Sequence, residues 1–111
     1  MPRVTKALTA KAKHKKVLKT TKGHYGARSR LFRTAKQSNI KALQYAFRDR
    51  KNKKRTFRSL WISRISAALK PLELSYSRFI SLLREANIRL NRKSLANIAF
   101  SDLETFKKIV E

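Results

Sequence analysis

Apolar residues in the last third of the chain return every three or four positions. Trp61, Ile62, Ile65, Ala68 and Leu69 keep helical spacing, and Pro71 stops that helix. Ser75 stands where an N-cap belongs, ahead of Phe79, Ile80, Leu83 and Ala86 on one face. Asn91 precedes a third set, Leu95, Ile98 and Ala99. Ser101-Asp102-Leu103-Glu104 fits an S-x-x-E capping box that opens a last helix carrying Leu103, Phe106, Ile109 and Val110. Glycine is absent beyond Gly26 and no alternation of period two persists, so a sheet is not expected.

The N-terminal pattern is helical but poorer. Ala10, Val17 and Leu18 lie among lysines. Gly23 and Gly26 bracket His24 and Tyr25 and mark a break. Beyond it Leu31/Phe32, Ala35, Ala42/Leu43 and Ala46/Phe47 trace a narrow stripe. Neither proline nor glycine lies between Ala27 and Lys70, so the spacing predicts one helix from near Ala27 into the Trp61 segment. A stripe this thin stabilises a solitary helix poorly and calls for a partner. The expected fold is all-α. A long basic N-terminal helical extension, residues 1–60 with its break at 23–26, is followed by a small globular domain, residues 61–111, of about four short helices.

Charge divides the chain in the same place. Residues 1–60 hold 20 Lys/Arg and one acid, Asp49, a net of +19; residues 61–111 hold nine Lys/Arg and five acids, a net of +4. The whole chain of 111 residues carries +23. Self-repulsion of this size opposes a compact state and calls for an external polyanion, nucleic acid first. No apolar run reaches the ~18 residues of a membrane span, and the N-terminus lacks the apolar segment of a secretory signal. Without cysteine there are no disulfides or thiolate metal sites.

The densest signal is Arg48, Arg50, Lys51, Lys53, Lys54, Arg55 and Arg58. At about 100° per residue these positions surround a helix rather than line one face. A helix on the surface of a duplex needs charge on one side; charge all round suits a helix threaded between several phosphate backbones. A mobile localisation signal is the plainer reading, but it needs none of the neighbouring Tyr45, Phe47, Phe57 and Trp61. Asp49, between two arginines, either orients a guanidinium toward RNA or is a surface acid. Tyr25 and Phe32 either stack on unpaired bases or touch a protein neighbour. His14 and His24 lie ten apart among lysines, which oppose a metal cation, so phosphate contact or simple exposure is expected. There is no cysteine nucleophile, no acid pair near a histidine and no glycine-rich phosphate loop, so neither enzyme activity nor a cofactor is expected. A basic architectural protein on double-stranded DNA is the alternative; the ordered aromatic–arginine run argues against it. A cationic membrane helix would need a wider apolar face.

The residues resemble a known family. Pro2-Arg3-Val4, Lys13-His14-Lys15-Lys16-Val17-Leu18-Lys19, Gly23-His24-Tyr25-Gly26-Ala27-Arg28-Ser29-Arg30, Tyr45-Ala46-Phe47-Arg48-Asp49-Arg50-Lys51, Phe57-Arg58, Leu60-Trp61-Ile62, Arg64-Ile65, Ser75-Tyr76-Ser77 and Leu90-Asn91-Arg92-Lys93 resemble, in order, the bacterial-type large-subunit ribosomal protein L-twenty. The resemblance implies a structural constituent of the large ribosomal subunit that binds its ribosomal RNA, chiefly the second domain, and acts early in subunit assembly. It implies large-subunit proteins L-thirteen and L-twenty-one as neighbours, no membrane, no small-molecule substrate, and a ribosome in the bacterial cytoplasm or an organelle. Where the family often carries an Asn-Gly turn before the serine, this chain reads Lys70-Pro71-Leu72-Glu73-Leu74. It also ends without the common lysine- and alanine-rich tail.

The candidate RNA contacts fall in three groups. The first is Arg3, Lys6, Lys11, Lys13, His14, Lys15, Lys16, Lys19, Lys22, His24, Tyr25, Arg28, Arg30, Arg33 and Lys36. The second is the run Arg48, Arg50, Lys51, Lys53, Lys54, Arg55 and Arg58. The third is Trp61, Arg64, Arg92 and Lys93.

Overall fold

A computed structural model describes residues 5–111, and the chain divides into two compact units, Met1–Arg50 and Lys51–Glu111. Among the described residues the elements are helices α1 (Ala7–Thr20), α2 (Phe32–Leu69), α3 (Tyr76–Glu85), α4 (Arg92–Ser101) and α5 (Leu103–Val110), with 3₁₀ turns at Gly26–Ser29 and Lys70–Leu72 and no strand. The all-α expectation holds, with a helix of 38 residues at its centre.

That helix begins at Phe32 rather than near Ala27. Gly26 has φ 58°, and the chain leaves it as a 3₁₀ turn closed by the Arg30 amide on the Ala27 carbonyl. Only then does the α register take over.

In the N-terminal unit α1 ends at Thr20, and the next residue, Thr21, is fully buried. The Thr21 hydroxyl is shared by the Val17 and Leu18 carbonyls at 3.3 and 3.2 Å. Two of the last carbonyls of α1 are thereby satisfied. Gly23 follows at φ 86°, a left-handed conformation in which a Cβ would be strained. His14 on α1 stacks on Phe32 of α2, ring centroids 3.9 Å apart, and His24 is hydrogen-bonded to the Ser38 hydroxyl at 2.7 Å. Of the expected apolar stripe, Ala35 is buried and Phe32 and Ala46 are half-buried, while Leu31, Leu43 and Phe47 stay exposed.

The C-terminal unit buries a small core. Ile65 and Leu69 of α2 meet Phe79 and Leu83 of α3, Leu95, Ala96 and Ala99 of α4, and Phe106 of α5. The Phe79 and Phe106 rings lie 5.6 Å apart, tilted by 51°, the geometry aromatic quadrupoles favour. Trp61, Ile80, Ile98, Ile109 and Val110 close around this cluster. Ala86 and Leu103, expected on the apolar faces, are exposed.

Helix ends follow local chemistry. Ser75 accepts the Arg78 amide and Asn91 accepts the Ser94 amide at 2.8 Å, as their positions predict. The expected Ser101–Glu104 capping box does not form. The Ser101 hydroxyl donates back to the Asn97 carbonyl as α4 ends, and the next residue caps α5 instead. Asp102 accepts the Thr105 amide at 3.0 Å and the Thr105 hydroxyl. Those bonds hold its carboxyl below the usual carboxylate range, and a carboxylate also suits the positive end of a helix.

The turn after α2 explains how the chain manages without glycine before Ser75. The Leu74 amide bonds the Leu69 carbonyl and the Glu73 amide bonds that of Lys70, with Glu73 itself left-handed at φ 52°. This is a Schellman closure, which normally prefers glycine at the left-handed position. Asn87 closes α3 in the same way at φ 56°, with the Ile88 amide on the Leu83 carbonyl at 2.9 Å.

Candidate nucleic-acid interface

Every described cation of the first two candidate groups is exposed, and each sits on a helix or in the turn that joins two helices. Lys6 caps α1. Lys11, Lys13, Lys15, Lys16 and Lys19 lie along α1, and at about 100° per residue they point in several directions around it. Lys22 follows in the turn, Arg28 is in the first 3₁₀ turn, Arg30 ends it, and Arg33 and Lys36 lie in the first turns of α2. Arg3 lies outside the described residues.

The central stretch of α2 has unusual surroundings for a helix interior. From Phe47 to Leu60 no residue is even half-buried. On that helix the seven cations from Arg48 to Arg58 fan over about 220° of arc. The expectation of charge all round is thus narrowed. A polar stripe of Asp49, Asn52, Thr56 and Ser59 runs along the remaining side. Its groups are partly engaged with the helix and with a cation beside it: the Thr56 hydroxyl donates to the Asn52 backbone carbonyl at 2.9 Å, and the Arg55 Nη1 reaches the Asn52 side chain at 3.5 Å.

Asp49 accepts the Arg48 Nε at 2.9 Å, and the Arg48 guanidinium lies 4.7 Å from the centre of the Tyr45 ring. The Asp49 hydrogen bond and charge raise the Arg48 pKa above its ordinary value. Both side chains are exposed, and an ion pair of this kind adds little stability.

The remaining candidates divide. Tyr25 is 92% exposed, whereas Phe32 has a protein neighbour in His14. His24 is held by Ser38. Trp61 is half-buried against the C-terminal core, and the Arg92 Nε donates to the Tyr76 hydroxyl at 3.1 Å. These two side chains therefore have a part in packing. Lys93 is exposed, and Arg64 lies over the exposed Phe100 ring, 5.6 Å from its centre. Among the described residues no group of three His, Cys, Asp or Glu side chains is placed to hold a metal ion.

Sequence reasoning missed a cleft of about 710 Å³ in the N-terminal unit, where Gln37, Lys41, Gln44 and Tyr45 join His24, Tyr25 and Arg28. The signal was present in the i, i+4, i+7 spacing of Gln37, Lys41 and Gln44, on the helix side away from the apolar stripe. It was hidden because glutamines carry no charge and draw little notice in so basic a chain.

Comparison with known proteins shows the family of the chain. A family model described as Ribosomal protein L20 matches residues 3–109. A protein of Francisella philomiragia named "Large ribosomal subunit protein bL20" is 57% identical over 111 residues, which is all of this chain and 94% of that protein. A protein of the same name from Coxiella burnetii is 57% identical, again over all of this chain and 93% of that protein.

Proposed function

The chain belongs to the ribosomal protein L20 family, and on that premise we propose that it is a non-catalytic structural constituent of the large ribosomal subunit. It binds large-subunit ribosomal RNA, chiefly the second domain, and supports early assembly. Residues 1–60 are the RNA-binding extension and residues 61–111 the docking domain, with proteins L-thirteen and L-twenty-one as neighbours. Its place is a ribosome of the bacterial cytoplasm or an organelle.

The observation that carries this reading is the wholly exposed cationic stretch of α2, seven cations within 11 residues and Asp49 as its one acid. Segments of folded RNA repel one another through their phosphates. A rigid helix bearing cations over most of its circumference displaces condensed counterions from several segments at once. The entropy of that release drives binding. If each of the seven cations neutralises one phosphate, they contribute about 5–6 to the slope of log affinity against log salt, at ~0.7–0.9 per phosphate. The short helices within residues 61–111, capped by Ser75, Asn91 and Asp102, carry a net of only +4 against +19 for residues 1–60, which suits docking rather than bulk neutralisation.

Filter binding of the full chain to large-subunit ribosomal RNA, with duplex DNA and then unlabelled ribosomal RNA as competitors, tests this. Ribosomal RNA should displace the label at far lower mass than DNA does. Equal competition by mass would show a general polyanion binder.

A further inference from the structure

We propose that the cleft between the Gly23–Gly26 turn and the polar side of α2 captures a single unpaired nucleotide, with Tyr25 as the stacking platform for its base. The proposal rests on the RNA-binding reading above and adds a contact that does not depend on charge. Three observations carry it.

The first is the state of Tyr25. A phenol ring 92% exposed to water has a whole face open to a planar partner. Its backbone is nevertheless braced. Gly23 and Gly26 take φ 86° and 58° on either side, and the preceding residue, His24, is hydrogen-bonded to Ser38 of α2 at 2.7 Å. A ring on a braced backbone has less freedom to lose when a base stacks on it, and stacking on aromatic rings is the usual means of holding an unpaired base.

The second is the chemistry facing it. Across the cleft α2 presents Gln37 and Gln44, side chains whose amides both donate and accept. Lysine alone would suffice for phosphate. Paired amides suit the edge of a base, which offers donors and acceptors together.

The third is the placing of charge at the rim. Arg28 and Lys41 line the cleft, and Lys41 and Arg48 lie 5.1 and 4.7 Å from the centre of the Tyr45 ring. Tyr45, with these two cations over its ring, holds them at the rim, and Tyr25, 92% exposed against 46% for Tyr45, is the more open face. A nucleotide that stacks on Tyr25 sets its phosphate toward Arg28 and Lys41. Neither a duplex, whose bases are already stacked, nor a free phosphate uses all three features.

The test uses the full chain, a mixed-sequence single-stranded RNA 20-mer and the same RNA fully paired. Irradiation at 254 nm followed by mass spectrometry should find one nucleotide joined to the peptide that holds Tyr25 from the single strand, and none from the duplex. Tyr25→Leu should weaken single-strand binding by about 5- to 100-fold, the range spanned by loss of one base–aromatic stack, with the salt slope unchanged. Tyr25→Phe should bind as the unaltered chain does. Because Tyr25 is so exposed, the Leu variant should keep the helical circular dichroism of the unaltered chain. Gln37→Ala with Gln44→Ala should flatten the ranking among oligo(A), oligo(C) and oligo(U), again at constant slope. Undiminished binding by Tyr25→Leu, a loss that appears only as a shallower slope, or an equal adduct from the duplex overturns the capture. If the capture fails while the unaltered chain keeps its steep salt dependence on ribosomal RNA, the charge reading stands. If that steep dependence is missing, the reading beneath it has failed.

Discussion

Replacing Lys53 by proline separates charge from helical form. Lys53 lies in the middle of the exposed stretch of α2, where no side chain from Phe47 to Leu60 is half-buried. Proline there removes the amide that an α-helix aims at the Asp49 carbonyl, and its ring collides with the same carbonyl. The cost is about 3 kcal/mol in a helix interior, and the absence of burial leaves no packing to hold the helix straight. If the RNA must restore the straight form, affinity falls by about 100-fold, since about 1.4 kcal/mol is one decade. Lys53→Ala loses the same charge and keeps the helix, so the comparison of the two isolates shape. The complementary variant, Arg50→Gln with Arg55→Gln and Arg58→Gln, keeps the helix and removes about three phosphate contacts. Its salt slope should be shallower by about 2–3 units. Between 50 and 200 mM salt its deficit against the unaltered chain should therefore narrow by about 20- to 60-fold. Titration of large-subunit ribosomal RNA at four salt concentrations reads both quantities. A Lys53→Pro chain that binds like Lys53→Ala would refute the threaded helix, whatever the slope of the arginine variant.

Phe106→Ala, at a fully buried site against Phe79, should cost about 3–5 kcal/mol; a thermal melt followed by Trp61 fluorescence measures it, and a loss below about 1 kcal/mol would mean that the core repacks. Glu73→Gly should raise the stability of the C-terminal unit by about 0.5–1 kcal/mol, because it relieves a left-handed residue in the Schellman closure; an unchanged melting temperature would count against strain there. The Asp102 pKa is lowered by the Thr105 side-chain and backbone hydrogen bonds, so its contribution is full above the ordinary carboxylate pKa of 3.8 and is lost as pH falls through the depressed folded value. Asp102→Asn, which keeps an acceptor for the Thr105 amide, should show a smaller loss of melting temperature between pH 5 and pH 2 than the unaltered chain, and parallel curves would refute the linkage.

Much of this architecture was written in local rules that need no tertiary knowledge. Pro71 lacks an amide and ends α2; Ser75 and Asn91 carry acceptors for unsatisfied amides and start α3 and α4; Phe79, Leu83, Leu95, Ala99 and Phe106 recur at helical spacing and form one core. The +19 of residues 1–60 demanded a polyanion by electrostatics alone, and the ordered aromatic–arginine run pointed to folded RNA. Three features were settled only in the folded chain. Which of two adjacent residues caps α5 depended on Ser101 spending its hydroxyl on Asn97, a competition that spacing does not rank. Glu73 and Asn87 hold left-handed conformations because the Schellman bonds outweigh the strain, although propensity would assign both sites to glycine. The fates of the aromatics diverged through contacts formed at a distance. Phe32 gained His14 as a neighbour, Trp61 joined the core, and Tyr25 was left 92% exposed beside a cleft whose other wall includes Gln37 and Gln44, more than ten residues further along the chain. Periodicity says which side of a helix a residue occupies, but only packing decides what, if anything, covers it.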